Sequence, residues 1–214
     1  MKIVFDVYSF RDLQKACGAC VATPQEAAAA DRPFLERICL TFSMDYNRRL
    51  FGSDRYAAIC HAYGSNGYQV TQMDVPCELS EMPDETVQVL LEPVKIPPKT
   101  DSIVLNTDRT DVLEVAFVGK DGRTTIMDQP KLDSRSIEFG TMCKKFADQI
   151  DQYNNGQGQY WIAVNPKYLI NALAGMKDEK SILLHFGNQV QPFMIRPREG
   201  EQNVTAFVFP VRVL

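Results

Sequence analysis

Apolar and polar positions alternate from Lys2 to Val7, the period of a half-buried strand, and Ser9 stands where a helix N-cap is favoured. Phe10, Leu13, Cys17 and Cys20 then recur at helical spacing, leaving Arg11, Asp12, Gln14 and Lys15 on the other face. The alanine-rich stretch 21–33, with Pro24 and Pro33, reads as a loop or as a short helix extension, and the pattern leaves both open. Three strand-like runs follow, at 36–44, 49–63 and 67–75. Asp45-Tyr46-Asn47 and the Gly64 to Gly67 stretch supply turn signals between them. The opening third therefore predicts the order β-α-β-β-β.

The middle changes character. Glu78, Glu81, Pro83, Asp84 and Glu85 mark its entry, and strand-like runs occupy 86–91, 102–107, 113–119 and 123–127. Lys120-Asp121-Gly122 joins the last two as a hairpin signature. Ile137 to Ile150 predicts a short helix, and Asn154 to Gly158 a flexible loop.

The end repeats the beginning. Gln159 to Val164 reads as a strand, Asn165 as an N-cap, and Pro166 sits at the first helical position, where proline is favoured. Tyr168, Leu169, Ala172, Leu173 and Met176 form one apolar helical face, and strand-like runs follow at 181–187, 191–197 and 205–213. Set side by side, the two helices match Ser9 with Asn165, Arg11 with Lys167, Leu13 with Leu169, Ala16 with Ala172 and Cys17 with Leu173. Any two amphipathic helices align partly in this way, but here strands flank both in the same order. Two β-α-β-β-β units predict a pseudo-symmetric α+β domain.

Composition narrows the function classes. The 45% hydrophobic and 23% charged residues suit a folded chain. No run approaches the roughly 18–20 apolar residues that span a bilayer, and the acid-bearing start is unlike a signal peptide. A cytoplasmic protein without a membrane partner is expected. The net charge of −4 argues against indiscriminate coating of nucleic acid, though not against one locally basic surface.

Chemistry-bearing motifs are sparse. The two histidines, His61 and His185, fall inside predicted strands, where packed or surface histidines are the commoner case. No phosphate-binding loop, G-x-S-x-G or H-E-x-x-H occurs, and the acids are dispersed. Cys17-Gly18-Ala19-Cys20 has redox or half-zinc spacing but no second pair, and it lies on the apolar helix face, which favours burial. Asn203-Val204-Thr205 is a glycosylation sequon only if the chain leaves the cytoplasm. No catalytic residue, metal or cofactor is expected.

The run from Val164, V-N-P-K-Y-L-I-N-A-L, through N-Q-V-Q-P-F-M-I-R-P, to A-F-V-F-P-V-R-V-L resembles the last part of the bacterial replicative sliding clamp, the β subunit of DNA polymerase III. That family shows an Asn-x-x-Tyr-Leu helix start, a Pro-x-x-Ile-x-Pro-like strand and an apolar-Pro-apolar-Arg-apolar tail, in this order. Phe34 to Ile38 and Gly52 to Ala57 resemble the clamp's first strands more loosely, and Leu214 is one residue beyond the family's usual end. The resemblance implies a DNA-clamp-like fold, with helices on one face of antiparallel sheets. On this view residues 1–78 and 158–214 are half-domains of one pseudo-symmetric domain, with 79–157 as a β-rich insertion. Two reduced clamp domains, 1–105 and 106–214, are the alternative.

The resemblance further implies a DNA-facing set, Arg11, Lys15, Lys167 and Asn171, that contacts double-stranded DNA without reading sequence. It implies a groove for clamp-binding motifs of polymerases or repair proteins at Tyr168, Val190, Pro192, Phe209, Pro210, Val211 and Arg212. The residues alone also allow solvated helix faces and a final core strand of alternating Phe209, Val211 and Val213. A homo-oligomer that tethers partners to DNA is the implied function. The alternative is an interaction module of clamp fold that binds such peptides and does not encircle DNA.

Overall fold

The computed structural model describes residues 1–49, 55–81, 87–132, 138–153, 162–188, 190–198 and 204–211. β1 (Lys2–Asp6) runs straight into α1 (Val7–Cys17). The cap is Asp6 rather than Ser9: its carboxylate accepts the Tyr8 and Ser9 backbone N–H groups, each at 2.9 Å. A charged acceptor at the positive end of the helix satisfies two orphan donors at once, which starts the helix early and places Ser9 inside its first turn. Val7, Phe10, Leu13, Ala16 and Cys17 form the buried face.

The alanine-rich stretch forms a separate helix, α2 (Pro24–Ala29). It is opened by a capping box in which Thr23 N–H donates to the Glu26 carboxylate at 2.8 Å and Glu26 N–H to the Thr23 hydroxyl at 3.3 Å. β2 (Ile38–Arg49), β3 (Tyr56–Ser65) and β4 (Gln69–Leu79) then form an antiparallel meander. The turn expected at Asp45-Tyr46-Asn47 is absent. β2 passes through those residues with a register irregularity between Met44 and Arg49. The next turn falls at Asn66 to Tyr68, with Gly67 at a φ of 89°. Gly64 instead lies in β3, where an added Cβ would sit 2.0 Å from the Cys17 carbonyl oxygen. Close approach of α1 to the strand requires glycine there.

β5 (Gln88–Leu91), β6 (Thr100–Asn106), β7 (Val112–Gly119) and β8 (Thr124–Pro130) come from the segment expected to be an insertion, and they join the same sheet. The predicted hairpin joins β7 to β8, with Gly122 at a φ of 77°. Strands run in the order β5-β2-β3-β4-β1-β6-β7-β8. The two ends of that order meet. Glu92 N–H donates to the Gln129 side-chain oxygen at 2.9 Å, and the Gln129 amide donates back to the Glu92 carbonyl at 3.3 Å. Gln129 is only 1% exposed. The sheet thus wraps around one apolar face, and residues from β1 to β7 share a single core with α1.

The pairing within this wrap repeats itself. β1 pairs with β4 and β6, while β5 pairs with β2 and touches β8 through Glu92 and Gln129. The meander β2-β3-β4 has its counterpart in β6-β7-β8. Where α1 links β1 to β2, an extended crossing at 92–99 links β5 to β6. It runs beside α1, and Val94 N–H donates to the Gln14 side-chain oxygen at 3.0 Å.

α3 (Phe139–Tyr153) and α4 (Pro166–Leu173) complete the helices, the latter capped by Asn165 with Pro166 at its start, as predicted. β9 (Ile182–His185), β10 (Phe193–Pro197) and β11 (Val204–Val208) form a third meander. β4 is forked: its Gln69–Met73 stretch pairs with β11 and its Glu78–Leu79 end with β1, while β3 takes its other edge. Of the strand expected over Gln159 to Val164, the first three residues lie outside the described set. Ile162 to Val164 are irregular.

Strand periodicity divides the layers. Val204, Ala206 and Val208 face the core that holds Leu13, Ala172 and Met176, so α1 and α4 share one side of the sheet. An added Cβ on Gly175, just after α4, would stand 2.6 Å from the Ala16 Cβ, which shows how closely the two helical segments pack. Phe207, Tyr63, Val70 and Met194 face the other way, onto Phe139, Cys143 and Ile150 of α3. That second covered face departs from the expectation of helices on one side only.

Candidate nucleic-acid and partner interfaces

α1 and α4 bring the expected DNA-facing residues onto neighbouring helices. Arg11 is exposed and has no carboxylate partner among the described residues. Lys15 and Lys167 are already engaged by acids: Lys15 Nζ lies 2.8 Å from Asp178 and Lys167 Nζ 3.2 Å from Glu26. The lysine contact holds the Asp178 carboxyl below its usual range. The Thr23 N–H, aided by Lys167, does the same for Glu26. Asn171 is half-buried on α4. The crossing at 92–99 adds Lys95, exposed between Val94 and Ile96, which pack against the core. Pro93-Val94-Lys95-Ile96-Pro97 carried that alternation in the sequence, but nothing local tells that it runs beside a helix.

The groove residues divide between two surfaces. The Tyr168 ring stacks on Tyr68, with centroids 5.3 Å apart and planes 6° from parallel. Burial against this partner pushes the Tyr168 phenol up from its ordinary pKa. Tyr68 is 57% exposed, and its carbonyl accepts the Phe209 N–H at 3.1 Å, while Ala163 accepts the Val211 N–H at 2.8 Å. Helix start, β3–β4 turn and tail therefore converge, although β11 ends at Val208 and Phe209 to Val211 continue without strand structure. The Phe209 ring turns to the other face. It meets Phe146 of α3 edge-on at 5.4 Å and lines a cleft of about 640 Å³ together with Phe34, Met142 and Lys145.

Phe193 pairs with Val208, so the β10–β11 register carries buried Pro192 beside Phe209. Pro210 is half-buried. Val190 is 78% exposed in the β9–β10 turn, where the Asn188 side chain accepts its N–H at 2.9 Å. Arg212 lies outside the described residues. Tyr68 was missed by sequence reasoning, because a tyrosine after a turn glycine carries no pattern of its own.

The cysteine pair is accounted for by packing. Cys17 and Cys20 are buried, and Cys20 Sγ lies 3.0 Å from the Thr71 hydroxyl, with burial pushing its thiol up to about 11. Among the described residues no group of three or more His, Cys, Asp or Glu side chains is placed to hold a metal ion, and no helix is long and apolar enough to cross a membrane.

No protein-family model and no curated protein matches this chain. Solved structures do. The DNA polymerase III β subunit of Thermotoga maritima superposes with a TM-score of 0.64 at 11% identity, covering 100% of this chain and 66% of its own. The corresponding subunit of Pseudomonas aeruginosa gives 0.66 at 8% identity with the same coverages. The sliding clamp of Caulobacter crescentus gives 0.64 at 13%, covering 99% of this chain and 65% of its own. The chain has the sliding-clamp fold, and it spans slightly less than two thirds of the length of these neighbours.

Proposed function

We propose that this chain is a sliding-clamp-like factor of DNA replication or repair, one that tethers partners to DNA without reading sequence. The observation that carries this is the layering: α1 and α4 lie on one face of a wrapped antiparallel sheet and meet where Gly175 packs on Ala16, with Arg11 exposed on the outward side. Such a helix pair presents cations to phosphates at no defined register, which is what sliding requires. The ion pairs at Lys15 and Lys167 are exposed and weak enough to be exchanged for phosphate. For the domain plan we propose β1 to β8 as one pseudo-symmetric domain whose second half has an extended crossing in place of a helix. α4 with β9 to β11 is then a half-domain added at β4. A chain with two such helices surrounds DNA only as a cyclic homo-oligomer.

The test is solution mass with retention on DNA. An oligomer held on nicked circular DNA and lost from the linear form is the expected result. A monomer that shows no salt-dependent association with either form overturns the proposal.

A second function, docking of clamp-motif peptides, is favoured by the convergence of Tyr168, Tyr68 and the tail. An apolar site formed by stacked tyrosines beside an irregular tail suits an extended peptide. Tyr168→Ala combined with removal of residues 209–214 is expected to abolish binding of a clamp-motif peptide while circular dichroism stays unchanged. Equal affinity in that variant removes the groove.

A further inference from the structure

His61 on β3 stands between Ser43 on β2 and Asp74 on β4. The Ser43 hydroxyl oxygen lies 2.8 Å from His61 Nε2, and Asp74 Oδ1 lies 2.8 Å from Nδ1. The three strands are neighbours in the meander. Register puts His61 opposite Thr41 on one side and Asp74 on the other, so Ser43 is its diagonal neighbour. These contacts are set by strand pairing rather than by loops. The Gln72 amide, 3.4 Å from Asp74 Oδ1, adds a further donor to the carboxylate.

The order of atoms matters more than their proximity. With Nδ1–H donated to Asp74, the neutral imidazole carries its lone pair at Nε2, where the Ser43 O–H can donate. Carboxylate, imidazole and hydroxyl in this order are the parts of an activated serine, a constellation recognised by geometry and not by sequence position. Ser43 is exposed, and the His61 and Asp74 side chains are 27% and 30% exposed, so small molecules reach all three. His61 is two residues from Tyr63 and shares its side of β3, the face that α3 covers in part, whereas Cys60 and Ala62 face α1. The cluster is therefore turned away from α1 and α4.

We propose that Ser43 is a nucleophile, His61 its general base and Asp74 a positioning residue, forming a hydrolytic site for small, unhindered carboxylic esters. Ser43 Oγ bonds to the ester carbonyl carbon as its proton passes to Nε2. The imidazolium returns that proton to the alcohol oxygen as the C–O bond breaks. Water, giving a proton to Nε2, then attacks the acyl-serine, and Ser43 leaves with its proton restored. Solvent water is the only co-reactant, and no electron is transferred. An open strand face gives little enclosure, so the acyl group must be short or carried on a flexible chain.

The test uses the full chain and a fluorophosphonate probe, read by intact mass and peptide mapping. The expected outcome is one adduct, on Ser43, with Ser43→Ala unlabelled. His61→Gln is expected to lower the labelling rate by on the order of 100-fold, the usual contribution of a general base. Asp74→Asn should lower it as well, with p-nitrophenyl acetate hydrolysis falling in parallel. Should the substitutions disturb the fold, acylation of His61 in the folded wild type by diethylpyrocarbonate must block labelling. An unlabelled Ser43, or labelling undiminished after His61 is replaced or acylated, overturns the proposal and leaves the three side chains as a cross-strand tie.

Discussion

Gly64 shows how a single position couples two elements. Its missing Cβ is what lets the Cys17 carbonyl lie against β3. Because the obstruction is backbone, which a rotamer change cannot relieve, Gly64→Ala is expected to destabilise the chain by on the order of 3 kcal/mol, measured as the shift of a urea unfolding midpoint. In the sequence Gly64 reads as punctuation, since a strand glycine and a turn glycine look alike until the neighbour is known. His61 was equally opaque. Its partners are 18 and 13 residues away, and only strand register joins them. The Asp74 hydrogen bond raises the His61 pKa above its ordinary 6.5, partly opposed by burial. A histidine with a raised folded-state value stabilises fully below about pH 6.5, and that contribution fades as pH rises through the folded value. The stability difference between wild type and His61→Gln should accordingly be larger at pH 5.5 than at pH 8.5 in parallel urea titrations.

Among the elements, those with local signals were legible. The α4 start was readable because Asn165 and Pro166 act within one turn, and the β7–β8 hairpin because Asp121-Gly122 supplies its own left-handed residue. Asp6 was overlooked because its place at the end of a strand pattern hid it as a cap, and the β2 turn was misplaced because pairing with β3 outweighed the Asp-Tyr-Asn signal. What joins distant elements had no signal at all. Gln129 illustrates this, as an ordinary polar residue in a strand that proves to be the link between β8 and the end of β5. Gln129→Ala leaves the Glu92 N–H and carbonyl without these partners in a part-buried setting, at a cost of about 1 kcal/mol. Hydrogen exchange at the Glu92 amide should accelerate more than exchange within β3.

For the molecule as a whole, the resemblance in the last fifty or so positions pointed to the fold, and residues 88–130 then proved continuous with it. The expected DNA-facing set followed from the resemblance applied to the polar faces of the two helices, but that Asp178 and Glu26 occupy two of its lysines had no signal, because those acids lie 163 and 141 residues away in the chain. Charge reversal at Arg11, Lys15 and Lys167 together is expected to weaken DNA association and to flatten its dependence on log salt by about 0.9 per lost phosphate contact. Fluorescence anisotropy across a salt series measures both. An unchanged slope would place any DNA contact elsewhere on the surface.

β4 gives this architecture a mechanical character. One strand serves as the shared rail for the amino-terminal wrap and the carboxy-terminal meander, engaging β11 along its first half and β1 at its far tip. A load applied to β11 would pass through β4 as torsion into the opening strand of the chain. Whatever grips one end of this protein should thereby be sensed at the other.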